Sequence, residues 1–242
     1  MKITIVSVVL NAKSNIEETI HSILSQTYAD IEYIIIDGES TDGTIDILKK
    51  YEPKLTKLLI EKDNGIYDAM NKALEISTGD FLIFMNSGDT FVTPYIIEGV
   101  VKSIKNKSAI YYGNAIFLNT EEKIALFFGG YFGKHRLCFK NICHQSVFYP
   151  KSVYKTYKYD LAYRVFADYV YNISLKAKNV RFIYLKTVIS FFELGGLSGN
   201  GDELLAKNKG KIILDKFGLY YYVYYILKKN IRIRLLVKKY KS

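Results

Sequence analysis

Cysteine is scarce in this chain and poorly spaced for a framework. Only Cys138 and Cys143 occur in the 242 residues. They lie five apart with His144 adjacent, no CxxC pair exists, and no second Cys/His pair could complete a zinc site. Two reduced, partly buried thiols in a cytosolic protein are the expectation. Long apolar runs are also missing, since none reaches the ~18 residues that span a bilayer. No secretory leader is visible, because Met1 opens directly into a strand pattern, Ile3 to Leu10. The body of the protein is therefore expected in the cytoplasm. Internal repeats and low-complexity segments are absent before residue 219. Acidic residues are outnumbered, 24 against 34 Lys and Arg, for a net charge of +10. That excess suits a nucleotide, a nucleic acid or an acidic membrane surface, or else reflects a lysine-rich proteome. Nucleic acid is disfavoured, because the cations are scattered and no recognised module occurs.

What is present is an ordinary globular composition, 49% hydrophobic and 24% charged, in a chain long enough to bury a full core. Ile3–Leu10 reads as a buried strand. Ser14 and Glu17 fit a capping box for a helix with Ile16, Ile20, Ile23 and Leu24 on one face, ending near Gln26-Thr27. Glu32–Ile36 is a second strand stopping at Asp37. A polar loop, Asp37–Thr44, leads into a helix to Tyr51, and Lys57–Glu61 suggests a third strand. This β-α-β-α-β order predicts a parallel sheet with right-handed crossovers. A helix from Ile66 stops at Gly79, and the uninterrupted apolar run Phe81–Met85 follows as a strand covered on both faces. It breaks into Asn86, Ser87, Gly88 and Asp89, where open α/β sheets bind their ligands.

Thr93 as N-cap and Pro94 at the first helical position predict the next helix. Ala109–Leu118 is strand-like, with Gly113 marking a bulge. His144–Tyr149 reads as a strand stopped by Pro150, Ala167–Lys178 as a helix, and Arg181–Glu193 as one or two strands. Gly195–Gly201 reads as a flexible loop. The end of the chain interleaves Tyr220, Tyr221, Tyr222, Tyr224 and Tyr225 with aliphatic residues. Lys228, Lys229, Arg232, Arg234, Lys238, Lys239 and Lys241 follow without an acid. Such a tail suits an anionic membrane surface, or a helix packed on the domain with a solvated basic end.

Asp37, Asp42, Asp63, Asp89 and Asp168 fall at strand or loop ends, where carboxylates can hold a hydrated cation and a diphosphate. Asp42, before Gly43, is assigned to the turn. Four segments in order resemble family 2 glycosyltransferases with the GT-A fold. They are Val6–Asn11 with Ser25–Tyr28, then Tyr33–Thr44, then Glu61–Lys72 through Thr78–Asp80 to Asn86–Asp89, and finally His144–Ser146, Ala167–Tyr169 and Gly195–Ser198. The resemblance covers roughly residues 1–200, and its order and spacing make it specific.

The resemblance implies a GT-A-like, Rossmann-type, mostly parallel central sheet flanked by helices, and the tyrosine-rich basic stretch beyond it adds a C-terminal helical tail. The chain then divides into a catalytic domain, 1–215, and a tyrosine-rich basic tail, 216–242. Within the domain, 1–90 is the nucleotide-sugar-binding half and 91–215 the acceptor half. Asp89 would hold Mn2+ or Mg2+ on the donor diphosphate, and Asp168 would be the catalytic base. Val8, Asn11, Asp37, Glu39, Asp63, Ser87 and Gly88 would line the donor site, with a UDP-sugar first among donors. Tyr67 and Asn71, at i and i+4 on one helix face, support the donor pocket or simply pack. His144 helps form the acceptor side or is a hydrogen-bonded strand histidine. The acceptor would be a lipid-linked saccharide or oligosaccharide at the inner membrane face, in surface polysaccharide assembly. Three departures stand out: Gly38 follows Asp37 where a second acid is common, Asp89 alone remains of the metal motif, and Glu193 stands where relatives place a late histidine. A metal-dependent nucleotidyltransferase and a non-catalytic membrane-surface protein are the alternatives from other classes.

Overall fold

The computed structural model describes residues 1–119, 124–193 and 201–239. Its sheet begins with β1 (Ile3–Val9), β2 (Ile31–Asp37), β3 (Lys57–Ile60) and β4 (Phe81–Phe84), all parallel, in the order β3-β2-β1-β4. Every residue of β1 and β4 is buried, as uninterrupted apolar runs covered on both faces require. Alternation then decides which helix each side chain meets. Ile5, Tyr33, Ile35 and Ile83 share one core with Ile16, Ile20 and Ile23 of α1 (Ile16–Leu24), Leu48 of α2 (Thr44–Tyr51) and Ile97 of α4 (Ile96–Ser103). Val6, Val8, Ile34, Ile36 and Phe84 share the other with Met70 and Leu74 of α3 (Ile66–Ile76) and Ile173 of α7 (Ala167–Ala177). A fully buried aliphatic side chain of this kind contributes about 1.5–3 kcal/mol.

Beyond β4 the sheet becomes mixed. It continues with β8 (Val147–Pro150), β6 (Ile110–Asn119), β9 (Phe182–Glu193) and β5 (Thr90–Phe91), while β7 (Ile124–Phe128) pairs only with β6. β8 is antiparallel to both β4 and β6, whereas β6 and β9 are parallel. The β6–β9 register shifts around Gly113. A Cβ there would lie 2.7 Å from the Thr187 carbonyl, so the bulge needs glycine.

Several local expectations need correction. Ser14 and Glu17 form no capping box: the residue preceding α1 is Asn15, which makes no side-chain cap. Its Oδ1 instead accepts from Ser87 Oγ at 2.7 Å, so the residue at the helix start ties the loop after β4. The fourth helix starts at Ile96, two residues after Pro94, because Thr93 Oγ1 is spent on the Tyr95 amide inside a turn. His144–Ser146 is a 3-10 turn, and the strand begins only at Val147. α5 (Lys134–Leu137) and α6 (Lys151–Tyr154) flank that segment.

The chain ends in α8 (Glu203–Phe217) and α9 (Leu219–Lys239), separated at Gly218 with φ +89°. Asp202 caps α8 by accepting from the Leu205 amide. The first half of α9 packs on the domain: Tyr225 is buried, and Tyr221, Tyr222 and Ile226 rest on the same core as α3 and α7. Its other side leaves Leu219, Val223, Leu227 and Ile231 exposed at four-residue spacing. Among the described residues no helix is long and apolar enough to cross a membrane. Both thiols are free, with Cys138 buried.

Candidate active site

The parallel strands reverse their winding at β1, with β2 on one side and β4 on the other, and their carboxyl ends frame a crevice there. Asn86 closes it by accepting from the Val8 amide at 3.3 Å. Gly88, at φ +88°, turns the chain, and its amide donates to Thr19 Oγ1 at 3.0 Å. A Cβ at Gly88 would stand 3.1 Å from Asn15 Nδ2. The turn leaves Asp89 buried, its Oδ2 accepting from the Asn86 amide at 3.2 Å and its Oδ1 from Gln145 Nε2 at 3.4 Å. Burial pushes the Asp89 carboxyl up to about 8, and the two hydrogen bonds only partly oppose this.

Asp168 sits in the first turn of α7, also buried. Its Oδ1 accepts from the Tyr67 hydroxyl and the Tyr169 amide, each at 2.9 Å. Its Oδ2 accepts from Asn141 Nδ2 at 2.6 Å. Burial raises this carboxyl above its ordinary range, against the pull of His144 and these donors. The Tyr67 hydroxyl has one proton but two acceptors, since the Val165 carbonyl lies at 2.7 Å. Asn71, one turn on, clamps the Tyr159 backbone through both its amide atoms. The shared face of α3 thus braces the loop leading to Asp168.

His144 joins the two acids. Its Nε2 lies 3.9 Å from Asp89 Oδ2 and its Nδ1 3.9 Å from Asp168 Oδ2, outside hydrogen-bond reach. Asn86 Nδ2 is 3.2 Å from Nε2. Burial lowers the imidazole's affinity for a proton, with Asp168 opposing. In the neutral ring, a hydrogen bond from Asn86 to Nε2 leaves the proton on Nδ1, the side of Asp168.

The loops at the neighbouring strand ends are organised differently. Asp37 is fully buried, and both its oxygens accept from Ser40, from the amide at 2.7 Å and the hydroxyl at 2.6 Å. Asn11, at φ +50°, donates its amide to Ser40 Oγ and accepts from the Thr41 amide through Oδ1. Asp42 clasps the Thr44 and Lys13 amides, as a turn residue does. Glu39 is exposed at φ +64°. Asp63 Oδ1 accepts from the Gly65 amide at 2.8 Å. Its Oδ2 lies 2.5 Å from where a Cβ at Gly38 would stand, so the glycine makes room for the Asp63 carboxylate. Exposed Leu10 lies against the same spot.

The structure therefore brings Asp89 and Asp168 together through His144, and sets Asp37, Asn11, Glu39 and Asp63 along the adjoining edge. Asn141 and Gln145, each bonded to one of the central acids, were not singled out as individual residues in the sequence; no periodic signal marks them. A divalent cation fits the Asp89 end, because a buried carboxylate without a cationic partner is what such an ion compensates. Among the described residues no three His, Cys, Asp or Glu side chains group to ligate a metal, so Asp89 would share the ion with ligand oxygens and water. The Glu193 side chain and Gly195–Ser198 lie outside the described residues.

Comparison with known proteins places this geometry. The model of the glycosyl transferase family 2 matches residues 4–148. A Mycobacterium bovis protein named PGL/p-HBAD biosynthesis glycosyltransferase is 37% identical over 199 residues, spanning 78% of this chain and 76% of that protein. The crystal structure of S. aureus TarS 1-349 in complex with UDP superposes with a TM-score of 0.68 at 18% identity, over 89% of this chain and 66% of that one. This chain thus spans just under two thirds of that structure. The Pyrobaculum calidifontis mannosyltransferase PcManGT, in complex with GDP-Man and Mn2+, matches at TM-score 0.62 and 15% identity, over 89% of this chain and 63% of that one.

Proposed function

Because the chain belongs to glycosyl transferase family 2, an enzyme family that transfers sugars, we propose that it moves a sugar from a nucleotide-sugar, a UDP-sugar first, to a hydroxyl of a lipid-linked saccharide or oligosaccharide with inversion. The observation that carries the reading is the pair of buried carboxylates, Asp89 and Asp168, each 3.9 Å from His144 at the carboxyl edge of the sheet. Asp168 accepts the proton of the acceptor hydroxyl, whose oxygen forms a bond to the anomeric carbon as the bond to the diphosphate oxygen breaks. Its donors Tyr67, Asn141 and the Tyr169 amide hold the carboxylate in one orientation for that transfer. Asp89 would hold Mn2+ or Mg2+, which would supply positive charge to the departing diphosphate. His144 keeps the two carboxylates apart and fills the space between them.

On the donor side, Val8, Asn11, Ser87 and Gly88 set the backbone of the crevice. Asp37 fixes the shape of its loop through Ser40, which leaves Asp63 and Glu39 as the acids able to meet the nucleoside. Residues 1–90 form the donor half, 91–215 the acceptor half, and 216–242 the tail. The exposed stripe of α9 with Lys228 and Lys229 beside it fits peripheral contact with an anionic membrane face, and we place the enzyme on the cytoplasmic side. The relatives' names and the basic tail support a role in polysaccharide or glycolipid assembly at the cell surface.

The test is nucleoside-diphosphate release from a panel of UDP-, GDP-, CDP- and dTDP-sugars with Mn2+. Asp89→Ala and Asp168→Asn should each lower turnover by at least about a hundredfold. Activity untouched by both substitutions would sink the assigned roles, and release of pyrophosphate would indicate nucleotidyl transfer instead.

A further inference from the structure

Between Glu122 and Asp160 the chain contains no acidic residue, and four of its cationic or imidazole side chains crowd into Lys134–Lys140. Among the described residues no carboxylate pairs with Lys134, Arg136 or Lys140. Nearby Lys176 is held below its ordinary range, first by burial and then by the Lys134 ammonium. Where α5 meets α9, a cleft of about 330 Å³ is lined by His135, Arg136, Phe139, Lys140 and Tyr224. Its wall is built, not incidental. His135 packs edge-on to Tyr224 with ring centroids 4.8 Å apart, and its Nε2 lies 3.1 Å from the Tyr220 hydroxyl. The Arg136 guanidinium rests on Phe132 at 4.4 Å, and Phe139 packs on Tyr224 and Tyr225.

Two further observations orient the cleft. Tyr220, bonded to His135 of the cleft, follows Leu219 of the exposed apolar stripe of α9, so the cleft lies beside the surface we assign to the membrane. At the other end, the segment after α5 runs directly to Asn141, whose amide holds Asp168. A cationic cleft between an apolar helix face and the catalytic carboxylate suits a ligand that is anionic where it leaves a lipid and carries a hydroxyl further in.

We propose that this cleft binds the phosphate or diphosphate joining the lipid to the sugar of the acceptor, and so places the acceptor hydroxyl toward Asp168. The proposal rests on the lipid-linked acceptor reading above. Arg136 donates to the Gly129 carbonyl and pairs with no carboxylate, and its remaining N–H groups together with the Lys140 ammonium can share an anion's oxygens. Bulk anionic headgroups would meet the exposed stripe and its lysines first.

Farnesyl diphosphate is the probe, titrated against the full chain in EDTA to silence metal-dependent binding at Asp89, with farnesol and phosphatidylglycerol vesicles as comparators. His135→Gln combined with Lys140→Gln should weaken farnesyl diphosphate binding about tenfold or more, while farnesol binding stays unchanged. Lys140→Gln alone, at an exposed position, should weaken it about threefold and guards against misfolding of the double variant. Equal affinity of parent and both variants overturns the proposal. So does weakening confined to the vesicles, which would assign the cleft to phospholipid headgroups. If sugar transfer to a lipid acceptor occurs with an unaltered KM in the double variant, the cleft fails and the enzyme reading stands. If diphosphate binding falls as expected but no donor supports transfer, the enzyme reading fails and the cleft stands.

Discussion

Tyr67→Phe isolates what the fold does to Asp168, the proposed base. The substitution removes the hydroxyl that donates to Asp168 Oδ1 at 2.9 Å and changes little else in volume. A hydrogen bond to a charged group contributes about 1.5–3 kcal/mol, and one pKa unit corresponds to about 1.4 kcal/mol. Asn141 and the Tyr169 amide remain as donors, and the lost proton was shared with the Val165 carbonyl. The lower end of that range therefore applies. The Asp168 carboxyl, already raised by burial, should rise by about one further unit. A general base works when deprotonated, so activity climbs as pH rises through its pKa, and a higher pKa moves the climb to higher pH. The assay is kcat/KM against pH for donor consumption, parent beside variant. The ascending limb should shift up by about one unit, with rates converging on the alkaline plateau. An unmoved limb would refute the link between Tyr67 and Asp168. A uniform loss at every pH would show that Tyr67 merely holds α3 in place.

Three other perturbations read separate parts of the molecule. Asp89 is raised in the fold from an ordinary 3.8 to about 8, so its contribution is favourable below about pH 4 and is lost as pH climbs to about 8. Asp89→Asn should therefore melt above the parent in EDTA at pH 8, with Mn2+ plus UDP narrowing the gap; a parent that melts higher without metal contradicts this. Glu32 behaves oppositely: burial disfavours its charge, but hydrogen bonds from the Thr4 hydroxyl and from the Thr78 hydroxyl and amide outweigh that and lower its pKa below 4.5. That stability is present above pH 4.5 and lost as pH falls through the depressed value, so acid unfolding should be steeper in the parent than in Glu32→Gln. At Gly79 a Cβ would lie 2.7 Å from the Thr4 amide nitrogen and 3.0 Å from the Lys2 carbonyl. Gly79→Ala should cost about 1–3 kcal/mol, seen as a lower urea midpoint, and an unchanged midpoint would show that the sheet edge yields.

The parallel half of the sheet was readable because its strands are continuous apolar runs and its helices keep a 3.6 period, as in Ile16, Ile20 and Ile23. Local signals failed where a side chain found a better partner at long range. Ser14 and Glu17 have the spacing of a capping box, yet the polar group that matters is Asn15, drawn to Ser87 seventy-two residues away. The acids Asp89 and Asp168 were visible in sequence order, but the histidine between them was not fixed in role. Seventy-nine residues separate the acids, and only the folded sheet brings His144 within 3.9 Å of both. Asn141 carries no pattern at all, because it lies in an irregular segment whose shape is set by packing. The split between α8 and α9 turns on Gly218 alone, whose positive φ the sequence does not announce.

The reversed direction of β8 has a consequence for how such a molecule can diversify. In the parallel strands, the loop leaving each strand opens on the crevice, so additions there would disturb the proposed donor site. In β8 it is the approach to the strand that reaches His144 and Gln145, whereas its exit is pinned: the Lys151 amide donates to the Asp80 carbonyl, and the Lys151 ammonium to that of Thr78. On the proposed roles, length changes in the segment running up to β8 would reshape the acceptor side without touching the strands that frame the donor side. Acceptor choice and donor choice can then drift independently along one chain.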